Sequence, residues 1–186
     1  MFDLIVFIQE IVKSYSFGGI ILGTFLSSSI LPIPSEAILV SAGLMGISPL
    51  LIGIFGGIGS SLGSLVGYQI GKSGNLFLKN YGKYLFIDPK NLKFVENWFK
   101  KWGDVSILIG RIIPFVPYKI FSIGSGLGNM NIKKFFIFTL IGSIPRCFLL
   151  SSFGFLVSLS KNIYLTISCL LAFLILPPII EKIIKK

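Results

Sequence analysis

The sequence predicts an all-α polytopic membrane protein. Its plan is an inverted repeat of two re-entrant helical hairpins, each followed by a transmembrane helix, plus a C-terminal transmembrane helix. Three observations predict this. The 186 residues are 53% hydrophobic with a mean hydropathy of +0.88, and only 13% are charged, about half the share usual in soluble domains. Between Ser14 and Gly71 the only charged residue is Glu36, a run long enough for roughly three helical crossings of a hydrocarbon core about 30 Å thick. Sliding the chain by 83 residues brings Pro34 onto Pro117, Gly43 onto Gly126, Gly59-Ser60 onto Gly142-Ser143 and Gly71 onto Gly154. Helix breakers and small residues recurring at one offset mark an internal repeat.

Residues 1–16 read as an amphipathic interfacial helix. They begin with Asp3 instead of a basic region and lack a small-residue cleavage site, unlike a secretory signal. Ile5, Ile8 and Val12 recur at helical spacing, with Gln9, Glu10 and Lys13 elsewhere on the wheel. The membrane domain follows at 17–160. Repeat one takes about 17–71, with short arms at 17–31 and 34–47 and a crossing at 49–71. Repeat two takes about 105–158, with arms at 105–113 and 117–129 and a crossing at 135–158. Such arms are too short to cross as ordinary helices, so each pair is expected to fold back as a re-entrant hairpin. The hairpins would turn at Pro32 and Pro34, and at Pro114 and Pro117. Between the repeats lies a basic interfacial loop, 72–104, in which Trp98 and Trp102 suit the surface of an anionic leaflet. Residues 161–186 supply a last crossing at about 163–180, closed by Pro177-Pro178, and a basic tail.

Charge orients the plan. Lysines of loop 72–104, the Lys133-Lys134 pair and the tail Lys182, Lys185 and Lys186 all fall on one face, which the positive-inside rule makes cytoplasmic. That puts the C-terminus in the cytoplasm, with the plasma membrane as the expected location. One crossing separates the hairpins, so they enter from opposite faces, as in inverted-repeat transporters. Gly43, Gly126, Gly59 and Gly142 are the expected packing glycines. Ser60, Ser61 and Ser64, with Gly63 and Gly67, have the small-residue spacing of close helix contacts.

The stretch "LPIPSE", residues 31–36, puts two prolines and a carboxylate inside this apolar run. At a hairpin tip the backbone leaves helical geometry, and the helix that restarts points free N–H groups and partial positive charge inward. Two such ends make an anion site. Arg111 and Lys119 in the second tip are the expected substrate-binding residues, because a phosphate suits a guanidinium fork and an ammonium. Glu36 is the expected proton- or ion-coupling residue, since an ionisable group at membrane depth marks function by default. Offset 83 makes it the counterpart of Lys119, and the two are expected to pair across the interface. "PSEA" is also a helix-start signal, with Ser35 as N-cap and Glu36 in the first turn. Arg146, after Pro145, is expected to clamp a helix kink, and Tyr68 to anchor at the interface.

Histidine is absent, which excludes His-based triads and His-ligated metal sites. No nucleophile–base pair is recognisable, so an enzyme is not expected, nor is any metal or cofactor. Cys147 and Cys169 lie within apolar runs and read as packing. The net charge of +10 is spent at segment boundaries, so nucleic acid is not an expected partner. Membrane lipids with anionic phosphate headgroups are, and a homo-oligomer is left open.

"FLSSSILPIPSEAILVSAG", "GSLVGYQIGK" and "GRIIPFVPYKIFSIGSGLGNMNIKKFFIFTLIGSIPR" resemble the DedA family, also called VTT-domain or SNARE-associated Golgi proteins, over about residues 15–160. The resemblance implies movement of lipids between leaflets. In bacterial members it implies recycling of undecaprenyl phosphate driven by proton or ion gradients, and in eukaryotic relatives phospholipid scrambling. Two family positions differ. Ser27 stands where many bacterial members carry a second acid, and Pro117 where they carry a second arginine, with Lys119 nearby. The expected function is a flippase or scramblase for a polyprenyl phosphate or a phospholipid. The alternatives are a small-ion or solute transporter on the same scaffold, or a non-transporting membrane scaffold.

Overall fold

The computed structural model describes residues 17–29, 34–73, 89–112 and 118–160, which hold helices and no strand. The segments expected at 1–16 and 163–180 lie outside the described residues, as do Pro32, Pro114, Pro117 and Cys169. The helices are α1 Phe17–Ser28, α2 Ser35–Leu44, α3 Pro49–Lys72, α4 Pro89–Trp102, α5 Ser106–Ile112, α6 Tyr118–Leu127 and α7 Ile132–Ser160, with a 3₁₀ turn at Gly103–Val105 before α5.

Among the described residues only α3 and α7, of 24 and 29 residues, reach the membrane's thickness, at about 36 and 43 Å. Both are apolar enough to cross it. The starts of α2 and α6 are 83 residues apart, as are their ends and the starts of α3 and α7. The turns that follow α2 and α6 match too. Gly46 and Asn129 have φ of 80° and 50°, the left-handed geometry that ends helices and favours Gly or Asn. The Gly46 N–H donates to the Gly43 carbonyl at 2.9 Å, and the Asn129 N–H to the Gly126 carbonyl at 3.1 Å.

Helices α3 and α7 pack along each other at the centre. Helix α1 lies on α3 and α5 on α7, whereas α2 crosses to α7 and α6 to α3. Glycine makes these crossings close. A Cβ at Gly43 would meet the Ser151 carbonyl oxygen at 2.1 Å, and one at Gly126 the Tyr68 carbonyl oxygen at 2.1 Å. Each position admits only hydrogen, so helix backbones touch without side chains between them.

The burial pattern is the reverse of a soluble protein's. Helix α3 buries Gly53, Gly56, Gly57, Gly59, Ser60, Ser61, Gly63 and Ser64 and exposes Leu50, Leu51, Ile54 and Leu62. Helix α7 exposes Ile137, Ile141, Phe148, Leu149, Phe153 and Leu156. A broad apolar exterior around a small-residue interior suits lipid as solvent, where packing and hydrogen bonds hold helices together.

Helix α4 carries Lys93, Lys100 and Lys101 on its outer side and buries Val95 against Ile120 and Phe121 of α6. Trp98 meets Phe121 edge to face at 5.5 Å between ring centroids. Trp102 is half-exposed under the Lys101 ammonium. Tyr68 departs from the expected interfacial anchor. It is buried against Phe135, and its hydroxyl donates to the Met130 carbonyl. A phenol that reaches a partner can leave the interface altogether.

Candidate functional site: a buried seam of arginine and serine

Four helices converge on Arg111, in the last turn of α5. Its side chain is 1% exposed. Gly142 of α7 admits it, since a Cβ there would stand 2.6 Å from the Arg111 Cβ. The Arg111 Nη2 donates to Ser64 Oγ of α3 at 2.6 Å and to Ser122 Oγ of α6 at 2.9 Å. The Nη1 contacts are longer, 3.4 Å to Ser143 Oγ of α7 and 3.5 Å to Ser60 Oγ of α3. The first two are strong charge-assisted bonds, and the second two lie near the outer limit of hydrogen bonding. Of these four contacts, Nη2 makes the short ones and Nη1 the long ones.

The serines divide into two kinds. Ser61 and Ser125 turn their hydroxyls to carbonyls four residues back on their own helices, a local arrangement that commits the hydroxyl proton and leaves only the oxygen's lone pairs. Ser64 also donates back, to Ser60 O at 2.6 Å, but its oxygen still accepts from Arg111. Ser60 extends the network to Ser28 of α1 across 2.8 Å. The small-residue spacing at 59–67 was expected to serve packing. Gly59 and Gly63 do pack against carbonyl oxygens of α1, at 2.3 Å from Ile21 and 2.2 Å from Phe25 to an added Cβ. Ser60 and Ser64 face the arginine instead. Their i, i+4 spacing on one helix face is the signal that sequence reasoning passed over.

One turn along α7 from Ser143, the buried Arg146 forms an ion pair with Glu36. Glu36 is the second residue of α2, whose first turn follows an extended Pro34 with φ −70° and ψ 108°. Two expectations change here. Glu36 pairs with Arg146 rather than Lys119, and Arg146 reaches to another helix where a kink clamp had been expected. Helix α7 continues through Pro145. Ser35 is the first helical residue and Pro34 holds the N-cap position, without a side-chain cap bond. Lys119, half-buried, is the second residue of α6, as Glu36 is of α2. Cys147, next to Arg146 in the chain, is buried; Ser143 touches Arg111 and Arg146 stands three residues on, so the two charged clusters adjoin. Among the described residues no group of three His, Cys, Asp or Glu side chains is placed to hold a metal ion.

An apolar exterior around a buried, cation-bearing polar seam defines a helical membrane protein with charged side chains in its interior. Comparison with known proteins makes the class specific. The VTT domain matches residues 33–156, and the chain belongs to this family, the DedA proteins. It is 32% identical over 152 residues to the uncharacterized membrane protein YbfM of Bacillus subtilis, covering 79% of this chain and 93% of that one. It is 37% identical over 160 residues to the B. subtilis membrane protein YkoX, covering 82% and 68%. Undecaprenyl phosphate transporter A of B. subtilis is 36% identical over 135 residues, covering 69% of this chain and 65% of that one. No solved structure matches the chain.

Proposed function

We propose that this protein is a lipid translocase, a flippase or scramblase that moves a polyprenyl phosphate such as undecaprenyl phosphate, or a phospholipid, between leaflets of the cell membrane. The observation that carries the reading is the Arg111 guanidinium, buried where α3, α5, α6 and α7 converge and ringed by serine hydroxyls. Burying an arginine at membrane depth costs several kcal/mol, on the order of 3 on insertion scales, and such residues mark substrate paths. A phosphate oxygen would exchange the long Nη1 contacts for short charge-assisted ones, with Ser60, Ser122 and Ser143 as further donors. Lys119 would hold the headgroup from the start of α6, and Glu36 would couple movement to protons or ions. The relative named as an undecaprenyl phosphate transporter supports the substrate class.

In this reading α1–α2 and α5–α6 are re-entrant hairpins dipping from opposite leaflets, and the halves form an inverted repeat. The shared offset of helix bounds and the exchange of α2 and α6 between the two long helices support it. The lipid tail would stay in hydrocarbon while the headgroup passes the seam, with the basic C-terminal tail cytoplasmic.

The test is flipping in liposomes carrying a labelled lipid phosphate. Wild type moves the label and Arg111→Ala loses about thirtyfold or more of the rate, the effect expected from truncating a buried, hydrogen-bonded charge. Equal rates would remove Arg111 from the site. Gradient-driven ion uptake without lipid movement would favour the ion-transporter reading, for which the Glu36–Arg146 pair is the relevant observation.

A further inference from the structure

We propose that Arg146 is a second phosphate-binding side chain, and that Glu36 is its resident internal anion, displaced when a phosphate enters the seam. The inference rests on the lipid-phosphate reading of Arg111 and names what that reading leaves out. Ser143 touches the Arg111 Nη1, and Arg146 stands three residues on. Side chains at i and i+3 are neighbours on a helix surface, so the two guanidiniums serve one seam from adjoining positions.

Charge and exposure then assign roles. The described seam holds two guanidiniums and one carboxylate. Glu36 is the only acidic residue between Ser14 and Gly71, and none lies between Val105 and Ile180. The seam is cationic by composition and suits an anion with more charge than a carboxylate. Within the ion pair the Arg146 side chain is 3% exposed and that of Glu36 is 25%. Arg146 is set in the middle of a 29-residue helix, whereas Glu36 sits in the first turn of ten-residue α2, just after the extended Pro34. Glu36 is thus the partner with a way out. A carboxylate and a phosphate present similar oxygen pairs to a guanidinium fork. A phosphate monoester can engage both arginines at once, while Glu36 holds one. Exchange then ties headgroup entry to release of the carboxylate, with no bond made or broken.

The experiment uses the full chain in nanodiscs, with farnesyl phosphate as probe and inorganic phosphate as a parallel arm. Where the competent state is a minor one, populated at about 10%, its resident anion raises the apparent Kd about tenfold. Glu36→Gln should therefore tighten farnesyl phosphate binding about tenfold. Arg146→Gln should weaken it by a similar factor, and the double variant should match Arg146→Gln alone. Wild-type protein gives a readout that does not depend on a variant folding. Modification of Glu36 by a hydrophobic carbodiimide, read by mass spectrometry, should rise when the probe is added. No tightening in Glu36→Gln and no rise in labelling, while Arg111→Ala still abolishes binding, would make the pair a staple between α2 and α7. That result overturns this inference and leaves the translocase reading standing. Arg111→Ala binding the probe like wild type overturns both. Binding of farnesyl phosphate alone, with the exchange signature, supports a lipid as the ligand. Equal binding of inorganic phosphate with the same signature supports exchange by a free phosphate.

Discussion

In the second half of the chain Arg111 touches Ser143, and at the same offset of 83 in the first half Ser28 touches Ser60. The backbone surroundings of the two pairs are alike. Gly43 meets the carbonyl of Ser151 as Gly126 meets that of Tyr68, and Gly154 meets Val40 as Gly71 meets Ile123. The chemistry is not alike. Glu36 answers to Lys119, Gly63 to Arg146 and Ser28 to Arg111, so at these positions one half brings a carboxylate and a hydroxyl and the other brings cations. The difference teaches that glycine contacts fix where the helices cross, while the polar side chains at the crossing are free to diverge. One scaffold used twice then yields a seam with a cationic side and a side that carries the carboxylate.

The strongest way to break that comparison is to treat Arg111 and Ser28 as equivalents. If chemistry resides on the cationic side, Arg111→Ala lowers lipid flipping about thirtyfold or more. Ser28→Ala, which removes one neutral hydrogen bond worth about 1 kcal/mol, changes the rate by less than about fivefold. Liposome assays on the two variants side by side decide it. Similar losses would place function on the crossing itself and not on the cation.

Packing should show the opposite behaviour, with the halves responding alike. Alanine at Gly43 or Gly126 drives a methyl group to within 2.1 Å of a backbone oxygen, and overpacking of this kind costs about 1–3 kcal/mol. Thermal unfolding in detergent should fall comparably for both variants. A loss at only one of them would show that the two crossings do not carry equal weight.

Much of this architecture was legible because breakers and small residues fix helix ends locally. Prolines and glycines drew arms at 34–47 and 117–129 and crossings at 49–71 and 135–158. The helices run 35–44, 118–127, 49–72 and 132–160. What stayed hidden was long-range. Glu36 was assigned to Lys119 by symmetry, yet it meets Arg146, 110 residues away. Counting charge would have pointed there, since Glu36 is the sole carboxylate between Ser14 and Gly71 and Arg146 a cation in the middle of a long apolar helix. Tyr68 looked interfacial because "GYQIGK" is polar, but its partner is a main-chain carbonyl 62 residues away, which no side-chain pattern announces. Arg111 stands out in the sequence by its place beside the proline break, and the structure buries it. Its serine ring does not stand out, because the same Gly-Ser spacing also encodes close packing.

The two kinds of serine sharpen the comparison further. Ser64→Ala removes an acceptor 2.6 Å from the Arg111 guanidinium and should cost about 1–2 kcal/mol of stability. Ser61→Ala, three residues earlier, removes only a hydroxyl turned to the Gly57 carbonyl and should stay within about 0.5 kcal/mol. Unfolding midpoints measured for both variants separate a seam that needs its hydroxyls from a helix that merely tolerates them.

The smallest effect belongs to helix α4, where charge lies outside the seam. Lys100 donates to Glu96 across 2.8 Å, and this bond, with the Lys100 charge, holds the Glu96 carboxyl below its ordinary value. A folded value below the unfolded one gives stability that is present at neutral pH and lost as pH falls through the carboxylate range. Both side chains face solvent, so screening leaves little of it. Lys100→Gln should flatten the acid limb of the stability profile slightly at low ionic strength and leave it unchanged in 1 M salt, about a 3 Å screening length. The same variant should leave lipid flipping at the wild-type rate. A large drop in flipping would show that α4 contributes to the transport path, and the contrast between seam and surface would have to be redrawn.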